Sequence, residues 1–220
     1  MEDEVLIDTS YSSDTLVISF AGLGDNFQFK NMFRDQGFKK IYVRDLKHHW
    51  YLNSIYQVGD NIEETVSFFK SVIDLEKIEK VVTIGSSAGG FAAILYGSLL
   101  KVDQIIAFSP QTFMDSFHRL IYYDTRWKDR KKEIYRIKGL EKKYLDLRKI
   151  SSDYKGELVL FYDKGHRLDN IHASRIKCEN MRLFNDLGAG HNLVSKLKKD
   201  NRLEYYLNLV NPEIFEINRL

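Results

Sequence analysis

The sequence predicts an α/β fold in which helices cover both faces of a mainly parallel sheet, with a short helical insertion. Three observations predict it. Apolar runs of strand length alternate along the chain with longer amphipathic segments. One such run, Val81-Val82-Thr83-Ile84, empties into Gly85-Ser86-Ser87-Ala88-Gly89-Gly90 and at once into the helix-forming Phe91-Ala92-Ala93-Ile94-Leu95-Tyr96. With 220 residues, 44% of them hydrophobic, and no repeat or low-complexity linker, the chain reads most simply as one domain, residues 1–220, with a substantial core.

Taken in order, the first strand is residues 15–20 (TLVISF), which ends at Ala21-Gly22-Leu23-Gly24. Residues 26–36 suit a helix, and residues 40–43 form a short strand-like run. Asp60-Asn61-Ile62-Glu63-Glu64 supplies an N-cap residue and early acids, opening a helix that runs to about Leu75. Strand 81–84 and helix 88–100 follow, then strands at 104–108 and 157–162. A helix from about Asn170, a strand at 181–184 and a helical stretch at 192–199 complete the alternation. Between about 111 and 155 the rhythm breaks in an insertion. Residues 124–149 within it carry eleven Lys/Arg against five Asp/Glu, while Trp127, Ile134, Tyr135, Ile137, Leu140 and Tyr144 recur roughly at helical spacing. Two readings stand for it: a solvated helical insertion packed on the sheet edge, or a lid whose basic face meets an anionic substrate or cofactor.

Composition narrows the function classes. The 33 basic and 31 acidic side chains leave a net charge of only +2, so nothing calls for nucleic acid as a partner. The lone Cys178 excludes an internal disulfide framework and fits a reducing compartment. Met1-Glu2-Asp3-Glu4 lacks the basic start of a signal peptide, and no apolar run reaches the length of a membrane span. The expected location is the cytoplasm.

The chemistry starts at Gly85-Ser86-Ser87-Ala88-Gly89. Between a strand and a helix this spacing is a nucleophile elbow, whose glycines clear a sharp turn and leave the Ser87 hydroxyl at its tip. The rival reading is a glycine-rich turn cradling phosphate at a helix N-terminus. A serine nucleophile needs an adjacent base, itself oriented by a third group. His191, in Gly188-Ala189-Gly190-His191 after the last strand, supplies the base. The acid lies in the loop that follows strand 157–162, where Asp163 and Asp169 both qualify. Asp169 is preferred because Asp163 sits immediately at its strand end, although Asp169 also suits the N-cap of the next helix. His172 is either a supporting group or a helix-surface histidine. Backbone N–H groups of Ala88 and Leu23 are the expected oxyanion hole. Gly22-Leu23-Gly24 also begins a dinucleotide fingerprint, but Phe27 stands where its third glycine belongs. Asp45, Trp50, Tyr51 and Gln111, near strand ends, are candidates for a substrate pocket. No metal site is expected.

On these residues the chain resembles the α/β-hydrolase superfamily. The likeness rests on Phe20-Ala21-Gly22-Leu23-Gly24, on Gly85 to Gly90, on the Asp-containing loop before Ile171, and on Gly188-Ala189-Gly190-His191. More narrowly, Gly85 to Gly90 followed by Ile106-Ala107-Phe108-Ser109-Pro110-Gln111 and Leu168-Asp169-Asn170-Ile171-His172-Ala173 resembles small bacterial hydrolase-like proteins associated with surface (capsular) polysaccharide synthesis. Some proteins of that kind are O-acetyltransferases using acetyl-CoA, and others are counted as esterases. The long apolar lid of larger superfamily members is missing here, which argues against lipase-like activity. The expectation is therefore a serine-dependent acyl-transfer enzyme acting on small acyl esters, with a small-molecule or glycan substrate and no required cofactor. An O-acetyltransferase that takes acetyl from acetyl-CoA is the alternative, and a hydrolase-fold binding protein without chemistry is a further one.

Overall fold

The computed structural model describes residues 2–185 and 187–215. Seven strands form one sheet: β1 (Val5–Asp8), β2 (Thr15–Phe20), β3 (Lys39–Val43), β4 (Lys80–Ser86), β5 (Gln104–Phe108), β6 (Glu157–Phe161) and β7 (Met181–Phe184). Their order across the sheet is β1-β3-β2-β4-β5-β6-β7; β1 runs antiparallel to β3 and every other pair is parallel. The continuous apolar runs are explained by burial on both faces. Along β2, Leu16, Ile18 and Phe20 join one core while Val17 joins the other, the two-residue period of a strand. On β6, Leu158 and Leu160 oppose Val159 and Phe161 in the same way.

The first core is covered by α2 (Ile62–Leu75) and α3 (Ala88–Leu100). Helix α2 starts as its sequence foretells: the Asn61 side chain accepts the Glu64 N–H at 2.9 Å, and Glu64 reaches back to accept the Asp60 N–H. Helix α3 is apolar all round and buried from Ala88 to Ser98, so it lies against the middle of the sheet. The second core packs Phe33 of α1 (Lys30–Phe33) with α8 (Leu193–Lys199) and α9 (Leu203–Val210). Between β5 and β6 lie α4 (Ser116–Ile121), α5 (Lys128–Ile134), a 3-10 turn at Lys142–Leu145 and α6 (Leu147–Ser152). Helix α7 (Arg167–Arg175) precedes β7. Among the described residues no helix is long and apolar enough to cross a membrane.

Two expectations are corrected. Residues 26–36 are helical only in the four residues of α1; Phe29 takes φ 62° before it, so residues 26–29 run as a turn against the sheet end. The sheet also begins one strand earlier than the apolar runs indicate, with the short antiparallel edge strand β1. From β2 the chain passes to β3 on one side and then crosses to β4 on the other. That reversal opens a crevice at the carboxyl ends of β2 and β4, the place where open α/β sheets receive ligands.

Candidate active site

Strand β4 ends at Ser86, α3 begins at Ala88, and Ser87 between them has φ 53° and ψ −113°. This is a strained conformation for a residue with a side chain, costing about 1–3 kcal/mol. The surroundings hold it in place. The Ser87 N–H donates to the Phe108 carbonyl at the end of β5 (2.9 Å), and the Ser87 carbonyl accepts the Phe91 N–H of α3 (3.0 Å). A Cβ on Gly85 would lie 2.1 Å from the Gly89 carbonyl oxygen, and one on Gly89 would lie 2.1 Å from that of Phe20. Both positions therefore need glycine for close backbone approach, which brings α3 directly onto the ends of β2 and β4.

His191 Nε2 lies 2.9 Å from the Ser87 hydroxyl oxygen, and His191 Nδ1 lies 2.9 Å from each carboxylate oxygen of Asp169. The acceptor at Nδ1 assigns the ring proton there, which leaves Nε2 to accept from Ser87. Asp169 is the third residue of α7 and its side chain is fully buried. It is not the helix cap: the His166 ring takes that place by accepting the Asp169 N–H at 3.3 Å. Burial pushes the Asp169 carboxyl up. The hydrogen bond from His191 and the charges of His191, His166 and Arg126 outweigh that and hold it below the usual range.

Asp163 does turn toward the histidine loop, but to its backbone. It accepts the Gly190 N–H at 2.7 Å and the Gly165 N–H at 2.9 Å, so it fixes the residue before His191. The Gly190 bond is the main reason its carboxyl lies below the ordinary value. The two candidate acids are thus separated by what they touch: Asp169 meets the imidazole and Asp163 the loop that carries it.

Ser87 and His191 line a cavity of about 420 Å³ together with Leu23, Gln28 and Trp127. Ala88 heads α3, so its N–H is among those a helix leaves without an intrahelical partner. Gln28 escaped the sequence reading. Its Oε1 accepts the Gly22 N–H (3.1 Å) and its Nε2 donates to the Ser86 hydroxyl (2.7 Å), tying the loop after β2 to the elbow. No helix opens at Gly24, since α1 begins only at Lys30, and the dinucleotide reading loses its phosphate site.

Asp45, Trp50, Tyr51 and Gln111 are corrected. All four are buried. Asp45 accepts the Tyr51 N–H, the Tyr51 hydroxyl donates to the Ala21 carbonyl, and the Trp50 indole N–H donates to Gln111 Oε1. They pack the interior behind the site and none lines the Ser87 cavity.

The 124–149 segment does reach the site, through two residues. Trp127 forms part of the cavity wall, and the Arg126 guanidinium lies 3.3 Å from Asp169 Oδ1. Its basic residues are partly spent on internal pairs. Arg126 also binds Asp124 through two nitrogens (3.0 and 3.1 Å), the buried Lys131 lies 3.5 Å from Asp124, and Arg130 meets His48. His172 is interior rather than on a helix surface: its Nδ1 accepts the Thr112 N–H at 2.9 Å and its Nε2 lies 3.2 Å from Asp124. Among the described residues two groups carry metal-ligand chemistry, His166 with Asp169 and His191, and Asp115 with His118 and Asp146. In each an arginine already lies on a carboxylate, Arg126 on Asp169 and Arg175 on Asp146, and that positive charge opposes a cation.

No family model and no curated protein matches the chain in sequence. Solved structures match its fold. The capsule O-acetyltransferase of Neisseria meningitidis serogroup A is similar with a TM-score of 0.62 and 16% identity, over 94% of this chain and 90% of that one. An alpha/beta hydrolase enzyme from the metagenome of lagoon sediments at Mar Chica, Morocco, is similar with a TM-score of 0.59 and 16% identity, over 94% and 95%. A monoacylglycerol lipase of Paleococcus ferrophilus gives 0.56 and 16%, over 96% and 99%. With its sheet order and elbow, the chain has the α/β-hydrolase fold.

Proposed function

We propose, on the premise of an α/β-hydrolase fold, that the protein is a serine-dependent acyl-transfer enzyme acting on acyl esters. The observation that carries this reading is the unbroken hydrogen-bonded line Ser87–His191–Asp169, with its hydroxyl end in a cavity. Ser87 attacks the ester carbonyl while His191 Nε2 takes its proton, and Asp169 stabilises the imidazolium without itself being protonated. The N–H groups of Ala88 and Leu23 hold the oxyanion. Collapse breaks the bond to the leaving oxygen, or to sulfur where the donor is a thioester, which receives the proton from His191, and the acyl group remains on Ser87. His191 then deprotonates the second acceptor, which attacks the acyl carbonyl; the acyl–Ser87 bond breaks and His191 returns the proton to Ser87. Water makes the protein an esterase; a sugar hydroxyl makes it an O-acyltransferase. The transferase reading, with acetyl-CoA as donor, is favoured by a second and larger cavity that adjoins that of Ser87 along a shared wall. Such a donor would place the enzyme in the cytoplasm, and a glycan is the acceptor of choice.

The test is turnover of p-nitrophenyl acetate together with covalent labelling by a fluorophosphonate. Wild type is expected to do both. Ser87→Ala is expected to lose the label and to lower kcat by roughly 10⁴-fold or more. A folded wild type that neither turns over nor labels overturns the reading.

A further inference from the structure

A cavity of about 750 Å³ lies beside the nucleophile, between residues 26–32 (the turn and the start of α1) and helices α8 and α9. It shares Asn26, Phe27, Gln28, Val194 and Ser195 with the cavity that holds Ser87 and His191, so the two adjoin along a common wall, and the pair is termed the trough. A small ester would fill only the part around Ser87. The remainder has the volume of a pocket for a much larger ligand.

Its charge is one-sided. Lys30, Arg44 and Lys198 line it against a single acid, Glu204. Arg44 is held rigidly: its Nε donates to the Asp3 carbonyl at 2.8 Å, a second N–H donates to the Asp25 carbonyl, and its guanidinium lies 4.7 Å from the centre of the Phe27 ring. Carbonyl partners orient this cation without neutralising it. Among the described residues its one carboxylate neighbour, Glu2 at 3.3 Å, is largely exposed. Lys30 lies 5.9 Å from the same ring. Among the described residues neither Lys30 nor Lys198 has a carboxylate at ion-pair distance. Two cations at an aromatic ring, a third (Lys198) on the same cavity's lining, and neutral amides match phosphate groups carried on a sugar or heterocycle. Of the described residues in 124–149, Trp127 alone lines the Ser87 cavity.

We propose that this trough binds a phosphate-bearing arm of the substrate, with Lys30, Arg44 and Lys198 around the phosphates and the reacting end at Ser87. The inference rests on the acyl-transfer reading for its orientation. Two sources share this chemistry, a nucleotide thioester as acyl donor and a sugar phosphate as acceptor.

Calorimetry with coenzyme A and, separately, with glucose 1-phosphate tests it without any turnover. At least one probe is expected to bind wild type, with affinity that falls as salt is raised. The double charge reversal Lys30→Glu/Lys198→Glu is expected to weaken binding by roughly tenfold or more. Preference for coenzyme A assigns the trough to the donor; preference for glucose 1-phosphate assigns it to the acceptor. Binding of neither probe, affinity indifferent to salt, or equal affinity in a folded double variant overturns the proposal. Fluorophosphonate labelling of the same samples separates the two readings. Labelled protein that binds no phosphate compound refutes the trough alone, and unlabelled protein that binds one refutes the serine chemistry alone.

Discussion

Arg126 reaches from the insertion to within 3.3 Å of Asp169, whose other neighbours are His166 and His191. The same guanidinium holds both oxygens of Asp124, so one cation is shared between two buried acids. That guanidinium helps to hold both the Asp124 and the Asp169 carboxyl below the ordinary value. Arg126→Gln is therefore expected to raise both and to remove part of the stability they supply above the ordinary carboxylate range, lowering the urea midpoint at pH 7 by more than at pH 4, with Arg126→Lys between the two. Midpoints unchanged at pH 7 in both folded variants refute this. In the sequence Arg126 is one of eleven basic residues in its segment, and no local pattern marks it. Its role comes from a tertiary contact with a helix 41 residues downstream of it in α7, starting at Arg167. Ser87 and His191 are legible because their glycines impose a local backbone shape, whereas the choice between Asp163 and Asp169 depends on where their loop travels.

At the scale of elements, the elbow shows how much backbone approach governs the site. Gly89 of α3 faces the Phe20 and Ala21 carbonyls at the end of β2, where an added Cβ would lie 2.1 and 2.5 Å from the oxygens. Neither neighbour can yield, since both belong to the backbone that leads into the Leu23 loop. Gly89→Ala is expected to cost about 1–3 kcal/mol in urea denaturation and to depress ester turnover with it. Gly37→Ala, where nothing lies within 4 Å, is expected to leave both unchanged. Equal stability of the two variants counts against the close packing. The strands and α3 were legible because long apolar runs and a helix apolar all round are strong local signals. Three features gave weaker ones. Strand β1 is only four residues long at the sheet edge, α7 is capped by a histidine, and residues 26–29 are held in a turn by Gln28.

Across the whole molecule, the switch point between β2 and β4 sets the site, and a buried polar cluster fastens the insertion over it. Asp124 meets His172 of α7 and Arg126 meets Asp169, while Lys131 lies against Asp124 and the Thr112 N–H after β5 donates to His172. A charge count along the sequence reads this segment as a solvated or substrate-facing surface, because it cannot show which charges face inward. The cluster makes stability depend on acidity. Burial lowers His172 from its ordinary 6.5 to about 4, more than the opposing pull of Asp124 raises it. The ring also has no room for a second proton, since Nδ1 already accepts from the Thr112 N–H. Between pH 4 and 6.5 the unfolded chain therefore binds a proton at His172 that the folded chain refuses, and stability falls as pH falls through that window. The loss from this residue amounts to as much as about 3 kcal/mol. Asp124 and Asp169, both held below the usual carboxylate range, extend it: their contribution is present above the unfolded carboxylate value and is lost as pH drops toward their folded ones. Urea midpoints measured from pH 7 down to 4 are expected to decline for wild type and to flatten for His172→Gln, which offers one acceptor to Thr112 and one donor to Asp124 but cannot charge. A wild-type midpoint constant across that window, or a variant with the same slope, removes His172 as the acid-sensitive group that holds the insertion against α7.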